Sequence, residues 1–185
     1  MKKTILLLIV LAFSFTTKGQ EKINWLSLNE ALEFQKTTPK KIIMDVYTNW
    51  CGPCKLLDKN TFQNQDVAAY INKNYYAVKF NGEGNDVIKY KAGSYGNPNY
   101  NKRKANTRNS VHDFAKFMGI NAYPTIVFMD EKGNLIMPLR GYYNPTQLEL
   151  YLKLFKDEDY KKITSKEKFD AYSDAFVSEF KITKD

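Results

Sequence analysis

The stretch IIMDVYTNWCGPCKLL, residues 42–57, constrains this chain more than any other, because it holds both cysteines, Cys51 and Cys54, two residues apart. The run 42–47 is apolar, of strand length, and reads as a strand buried on both faces at the centre of a sheet. Helix-spaced residues follow from Lys55. The pair therefore sits where a buried strand turns into a helix.

The rest of the chain continues the alternation of strand and helix. Ser27 with Glu30 forms a capping box opening a helix to about Thr37, which Pro39 breaks. After the cysteines, 55–62 and 66–72 continue as helix, and 75–80 makes a second central strand. Ser110 is placed to cap a helix carrying Val111, Phe114, Ala115 and Met118 on one side. Residues 125–129, a turn at 130–134 and 135–139 read as a hairpin. Asn144 then caps a helix with Pro145 in its first turn, running to about Phe155. At 185 residues the chain suits one core, and the element order predicts a three-layer α/β sandwich with a mixed central sheet spanning 21–155.

Two segments lie outside that plan. Residues 81–110 contain seven Asn, four Gly, and six Lys or Arg against two acids, with Tyr90, Tyr95 and Tyr100. Such low aliphatic content predicts a long insertion loop with at most a helical turn at 87–91. In the tail, 156–185, Thr164 to Glu167 repeats the capping-box pattern, and Phe169, Tyr172, Phe176 and Phe180 share a helical stripe. An extra helix docked on the core is expected there.

At the other end, residues 1–20 begin with Lys2 and Lys3, continue as an apolar run and finish in small and polar residues. That is the plan of a signal peptide, cut after Gly19 or Gln20. Its loss removes Lys2, Lys3 and Lys18, lowering the net charge from +8 to +5. No later run reaches membrane-spanning length, so the mature protein is expected to be exported and soluble. An oxidising compartment lets a disulfide persist.

Two cysteines so spaced can serve a metal, a staple or redox chemistry. Structural zinc wants four ligands, and the pair with the lone His112 supplies three; His112 reads as a solvated helix cap. A staple closing two residues constrains little. A dithiol that cycles remains. Cys51 would cap the helix, where unpaired N–H groups and the dipole favour a thiolate. Gly52 and Pro53 let the sulfurs approach, Trp50 offers apolar surface to a substrate, and Cys54, one turn deeper, resolves. Asp45, a lone carboxylate in the buried strand, must be paired or carry a raised pKa, which suits a general base for Cys54. Lys79, in the neighbouring strand, is its expected charge partner.

Trp50-Cys51-Gly52-Pro53-Cys54-Lys55, with Asp45 upstream and Tyr123-Pro124-Thr125 opening a later strand, resembles the thioredoxin superfamily over about residues 25–155. Thr61-Phe62 and Phe128-Met129-Asp130 extend the similarity to the C-terminal periplasmic domain of DsbD and related exported proteins. The resemblance implies that Pro124 is a cis proline facing the sulfurs, that backbone near Tyr123 pairs with a substrate strand, and that Gly141 is the glycine near the active surface. It implies an exported, periplasmic thiol–disulfide oxidoreductase acting on protein disulfides through a mixed disulfide, with the dithiol as its only redox group and a membrane-borne thiol as electron donor. Gly-Pro between the cysteines resembles thioredoxin and points to a reductase. Tyr123 resembles disulfide isomerase and keeps an oxidase or isomerase as the alternative. A second alternative is a binding module in which 81–110 and the tail recruit a partner; nucleic acid is not expected as one.

Overall fold

The computed structural model describes residues 21–182; the expected signal peptide lies outside them. In chain order the elements are β1 (Trp25–Leu26), α1 (Leu28–Thr37), β2 (Lys41–Tyr47), α2 (Gly52–Leu57), a π-helical turn (Asp58–Phe62), α3 (Gln65–Asn74) and β3 (Tyr75–Asn81). There follow β4 (Ile88–Tyr90), β5 (Gly93–Tyr95), a 3-10 turn (Lys102–Lys104), α4 (Asp113–Phe117), β6 (Thr125–Met129) and β7 (Leu135–Arg140). α5 (Pro145–Lys156), a second 3-10 turn (Asp159–Lys162) and α6 (Lys166–Ala175) complete the order. The central sheet runs β1-β3-β2-β6-β7, parallel among its first three strands and antiparallel at β6 and β7. It is the mixed sheet expected from the element order.

β2 is apolar because it has a strand on each side and helices on both faces; residues 41–46 are all buried. The two-residue side-chain period splits it. Ile42, Met44 and Val46 pack with Leu28 of α1, Phe114 of α4 and Val127 of β6. Ile43 points the other way, among Leu57, Phe62, Val67 and Phe155. Asp45 shares the face of Ile43, which is the face that α2 covers. Each fully buried Leu, Ile or Phe in these layers contributes roughly 1.5–3 kcal/mol, enough to hold a single polar intruder in the strand.

Helix termini follow local chemistry. Ser27 and Glu30 form their capping box, with the Ser27 N–H donating to Glu30 Oε2 at 2.8 Å. Asn144 and Gln147 do the same for α5. Asn64 accepts from the Asp66 and Val67 amides to start α3.

Residues 81–110 depart from the expected loop. Residues 87–91 make no helical turn: Ile88–Tyr90 pairs with Gly93–Tyr95 as a hairpin. Ile88 and Tyr90 are buried with Lys89 exposed between them, and the Tyr90 hydroxyl donates to the Gly133 carbonyl at 2.8 Å. Three residues are too few for a two-residue period to stand out in the sequence. Downstream, His112 and not Ser110 caps α4, its Nδ1 accepting from the Phe114 amide at 3.0 Å. His112 is also fully buried instead of solvated. With Nδ1 accepting, Nε2 carries the proton and donates to the Asp86 carbonyl at 2.7 Å.

The tail forms the expected C-terminal helix, α6, capped by Ser165. It ends at Ala175, so Phe176 and Phe180 do not continue the helical stripe. Phe169 stacks on Tyr151, and Phe180 packs on Tyr70. The buried Glu149 carboxylate of α5 anchors the chain beyond α6, accepting from the Glu179 amide at 3.0 Å and the Phe180 amide at 2.9 Å.

Candidate active site

Cys51 and Cys54 are joined as a disulfide, with S–S 2.05 Å and Cα atoms 5.3 Å apart. Cys51 is the N-cap of α2, and the Cys54 amide donates to its Sγ at 3.1 Å. Pro53 sits in the first turn, where its missing N–H removes no bond. Neither cysteine is freely exposed: Cys51 retains 2% of its surface and Cys54 4%. The difference in depth expected between attacking and resolving sulfur is therefore small.

Cys54 lines a cleft of about 440 Å³ together with Asp45, Thr48, Lys55, Asp58, Lys79 and Asn106. A larger groove, about 820 Å³, runs between α1 and β4 but contains neither cysteine; reactive chemistry belongs to the smaller cleft. Asp45 is 1% exposed, and its Oδ1 has no hydrogen-bond partner among the described residues. Burial pushes its pKa up to about 7, against the attraction of Lys79 and with the repulsion of Asp58. A carboxyl group titrating near neutrality can take up and return a proton at working pH.

Lys79 is the cross-strand register partner of Asp45, as β2–β3 pairing requires. Its ammonium nevertheless binds Asp58 directly and stays 3.8 Å from Asp45 Oδ2. Asp58 escaped sequence reasoning, although it lies one helical turn after Cys54, a spacing that places it on the same helix face.

Directly before Cys51, Trp50 donates its indole N–H to Glu83 Oε2 at 2.8 Å. The same oxygen accepts from the Asn109 amide at 2.8 Å. The Arg108 guanidinium lies 4.8 Å from the Trp50 ring centre, and Tyr123 meets that ring edge-on at 6.3 Å. Asn49 donates to the Ala105 carbonyl at 2.8 Å. Trp50 is thus half-buried and partly covered, where an open apolar surface was expected. Glu83 and Arg108 were invisible to sequence reasoning because both fall in a segment without a periodic pattern.

The Tyr123–Pro124 bond is cis, and Thr125 after it pairs with Val46 in β2. The Tyr123 hydroxyl donates to the Gly82 carbonyl at 3.2 Å. A Cβ on Gly82 would lie 2.5 Å from the Tyr123 ring, so a larger residue there would push the ring aside. Burial, and then the nearby Glu83 charge, push the Tyr123 phenol up to about 12. Gly141, at φ +97°, donates its N–H to the Pro124 carbonyl at 2.9 Å. That φ is one that residues with a Cβ rarely adopt.

No group of His, Cys, Asp and Glu suited to hold a metal occurs among the described residues. No described helix is long and apolar enough to cross a membrane.

A disulfide-bonded C-x-x-C at the start of a helix, over a buried aspartate in a mixed five-stranded sheet, defines a thioredoxin-fold protein of the thiol–disulfide oxidoreductase class. The chain belongs to the thioredoxin-like domain family, which it matches over residues 28–156. Its structure is similar to a thioredoxin-fold protein from Helicobacter pylori, with TM-score 0.55 and 20% identity over 84% of this chain and 88% of that one. A candidate disulphide-isomerase from Bacteroides thetaiotaomicron aligns with TM-score 0.51 and 27% identity over 74% of this chain and 94% of that one. A curated thioredoxin of Mycoplasmoides gallisepticum is 62% identical over 21 residues, 11% of this chain and 21% of the relative's length.

Proposed function

We propose that the protein is an exported thiol–disulfide oxidoreductase that reduces disulfides in other proteins, with the periplasm as its compartment. The observation that carries this reading is the Cys51–Cys54 disulfide at the head of α2, with Cys54 in one cleft with the raised-pKa carboxyl of Asp45.

In the reduced protein, the Cys51 thiolate attacks a substrate disulfide, one substrate thiolate leaves, and a mixed disulfide forms. Asp45 accepts the Cys54 proton, and the Cys54 thiolate attacks Cys51 Sγ. The second substrate thiolate departs, and protons from Asp45 and solvent complete the two product thiols. Two electrons pass from the dithiol to the substrate, leaving the Cys51–Cys54 disulfide. Trp50, Gly52 and Pro53 border the attacked sulfur, and backbone near Tyr123 and the cis Pro124 is the edge against which an extended substrate segment pairs, with Gly141 bracing the Pro124 carbonyl. A membrane-borne thiol donor restores the dithiol.

Gly52-Pro53 supports the reductive direction. The structural likeness to a candidate disulphide-isomerase supports protein disulfides as the substrate class. The decisive experiment is equilibration with glutathione. A potential near that of thioredoxin, about −270 mV, is expected, and one near about −180 mV would make the protein an oxidant or isomerase. Alongside it, the reduced protein should accelerate insulin disulfide reduction and Cys54→Ser should accumulate mixed disulfides through Cys51; failure of both rejects the reading.

A further inference from the structure

Which disulfides the protein selects, a matter that rests on the oxidoreductase reading, depends on the surface bordering its own sulfurs. Residues 102–108, KRKANTR, contain four cations and no acid. Lys102, Arg103, Lys104 and Arg108 are all exposed, and none makes an ion pair with another described residue. Four like charges in seven residues repel one another, yet this segment is not free to spread them. The Asn101 side chain accepts from the Arg103 amide at 2.9 Å, and Asn109 bonds the Asn101 amide and carbonyl at 3.0 and 2.9 Å.

The anchorage of the segment decides what the charges are for. The Ala105 carbonyl is bound by Asn49, two residues before Cys51; Asn106 lines the cleft of Cys54; Arg108 lies over Trp50, next to Cys51. Consecutive Cα atoms are about 3.8 Å apart, so Lys102 to Lys104 begin within roughly 11 Å of the Ala105 Cα. Lys55, exposed on α2 directly after Cys54, carries the same sign. Of the neighbouring acids, Glu83 is 8% exposed and turned onto the N–H groups of Trp50 and Asn109, and Asp58, in the cleft of Cys54, is paired with Lys79. The approach to the disulfide is therefore bordered by an excess of exposed positive charge on a braced support.

We infer that segment 102–108 is a substrate-selecting rim, and that the preferred substrates are proteins whose target cystine is flanked by Asp and Glu. Charges at a rim act mainly on encounter rate and are screened by salt. The test uses disulfide-linked peptides differing only in whether Glu, Gln or Lys flanks the cystine. Each is mixed with the pre-reduced protein in a single turnover, and released thiol is followed.

At about 20 mM salt the acidic peptide should react at least about tenfold faster than the neutral one, and the ratio should approach one at about 500 mM. In the variant carrying Lys102→Gln, Arg103→Gln and Lys104→Gln the ratio should likewise fall toward one. Equal rates for acidic and neutral peptides at low salt overturn the rim and leave the oxidoreductase reading standing. So does a preference that survives in the triple variant, or binding of the segment to phosphatidylserine vesicles without peptide preference. No reduction of any peptide overturns the oxidoreductase reading itself, and the rim with it.

Discussion

Lys79 faces Asp45 across the β2–β3 register, but its ammonium is bound to Asp58 and lies 3.8 Å from Asp45 Oδ2. One cation is thus divided between two carboxylates, and the share Asp45 does not receive is part of why it holds its proton so late. Replacing Asp58 with Asn removes a repelling charge and frees Lys79 for Asp45. Both changes favour the ionised form, so the Asp45 pKa should fall below its present value of about 7. Carbon-detected NMR titration of the Asp45 carboxyl measures this; an unchanged or higher value contradicts the division.

Asp45 itself should weaken the fold as pH rises. Its folded pKa of about 7 lies above the unfolded value of about 3.9. The folded state therefore holds the proton more tightly, and this contribution is full below pH 4 and lost as pH climbs through 7. Asp45→Asn should be more stable than the parent at pH 8, by up to about 4 kcal/mol, and equal to it near pH 4. Denaturant melts at the two pH values check this. The same variant should slow release of a mixed disulfide by about a hundredfold at neutral pH, within the usual range for loss of a general base.

Glu83 joins the insertion to the active-site turn through one oxygen that accepts from both Trp50 and Asn109. Glu83→Ala should cost about 1–3 kcal/mol, the range for stranding a buried polar partner. The Asn109 amide should lose hydrogen-exchange protection while the β2 amides keep theirs. Protection at Asn109 unchanged in the variant would mean the bond is not what anchors the segment.

His112 caps α4 and holds the Asp86 carbonyl from a fully buried position. His112→Ala removes a cap, strands a carbonyl and leaves a void beside Phe80, whose ring lies 5.1 Å away. These losses should total about 2–4 kcal/mol, read from urea midpoints; a cost below about 0.5 kcal/mol would fit only an exposed histidine.

Glu149 should make the tail sensitive to acid. Burial opposes its ionisation, but Lys153, Ser178 and the Phe180 and Glu179 amides outweigh burial and hold its pKa below the usual carboxylate value. A lowered folded pKa contributes stability above the unfolded pKa that is lost as pH falls through the folded one. The tail should therefore detach below about pH 4, before the core melts. Fluorescence of a label placed at Val177, which is exposed, reports it, and Glu149→Gln, which has no carboxyl to titrate, should abolish the transition and leave the tail loosened at neutral pH as well.

Much of the fold was legible because strong local patterns agreed with it. The double-sided apolar run 42–47, the Ser27 and Asn144 caps and the hairpin around Gly133 all sit where the residues indicated. The short elements were not legible. The Ile88–Tyr90 and Gly93–Tyr95 strands are held by Tyr90 against Gly133, which lies 43 residues away. The cap of α4 fell to His112 and not Ser110 because the helix begins at Asp113, which leaves Ser110 two residues short of the cap position, where its hydroxyl donates to Asn97 Oδ1 at 2.6 Å.

Within the candidate site, Cys51, Cys54 and Asp45 could be chosen from the chain because their chemistry depends on local spacing or on polarity inside an apolar strand. Asp58 and Glu83 could not, since their roles depend on which partners the folded chain brings within hydrogen-bond reach. The amino-acid sequence by itself determined the strand–turn–helix unit and its dithiol, through periodicity and capping that act over a few residues. Only the tertiary structure decided how Lys79 is shared, how deeply both sulfurs are covered and that the basic segment 102–108 borders them. Those are outcomes of packing between residues far apart in the chain, where burial and competition for partners set the energies.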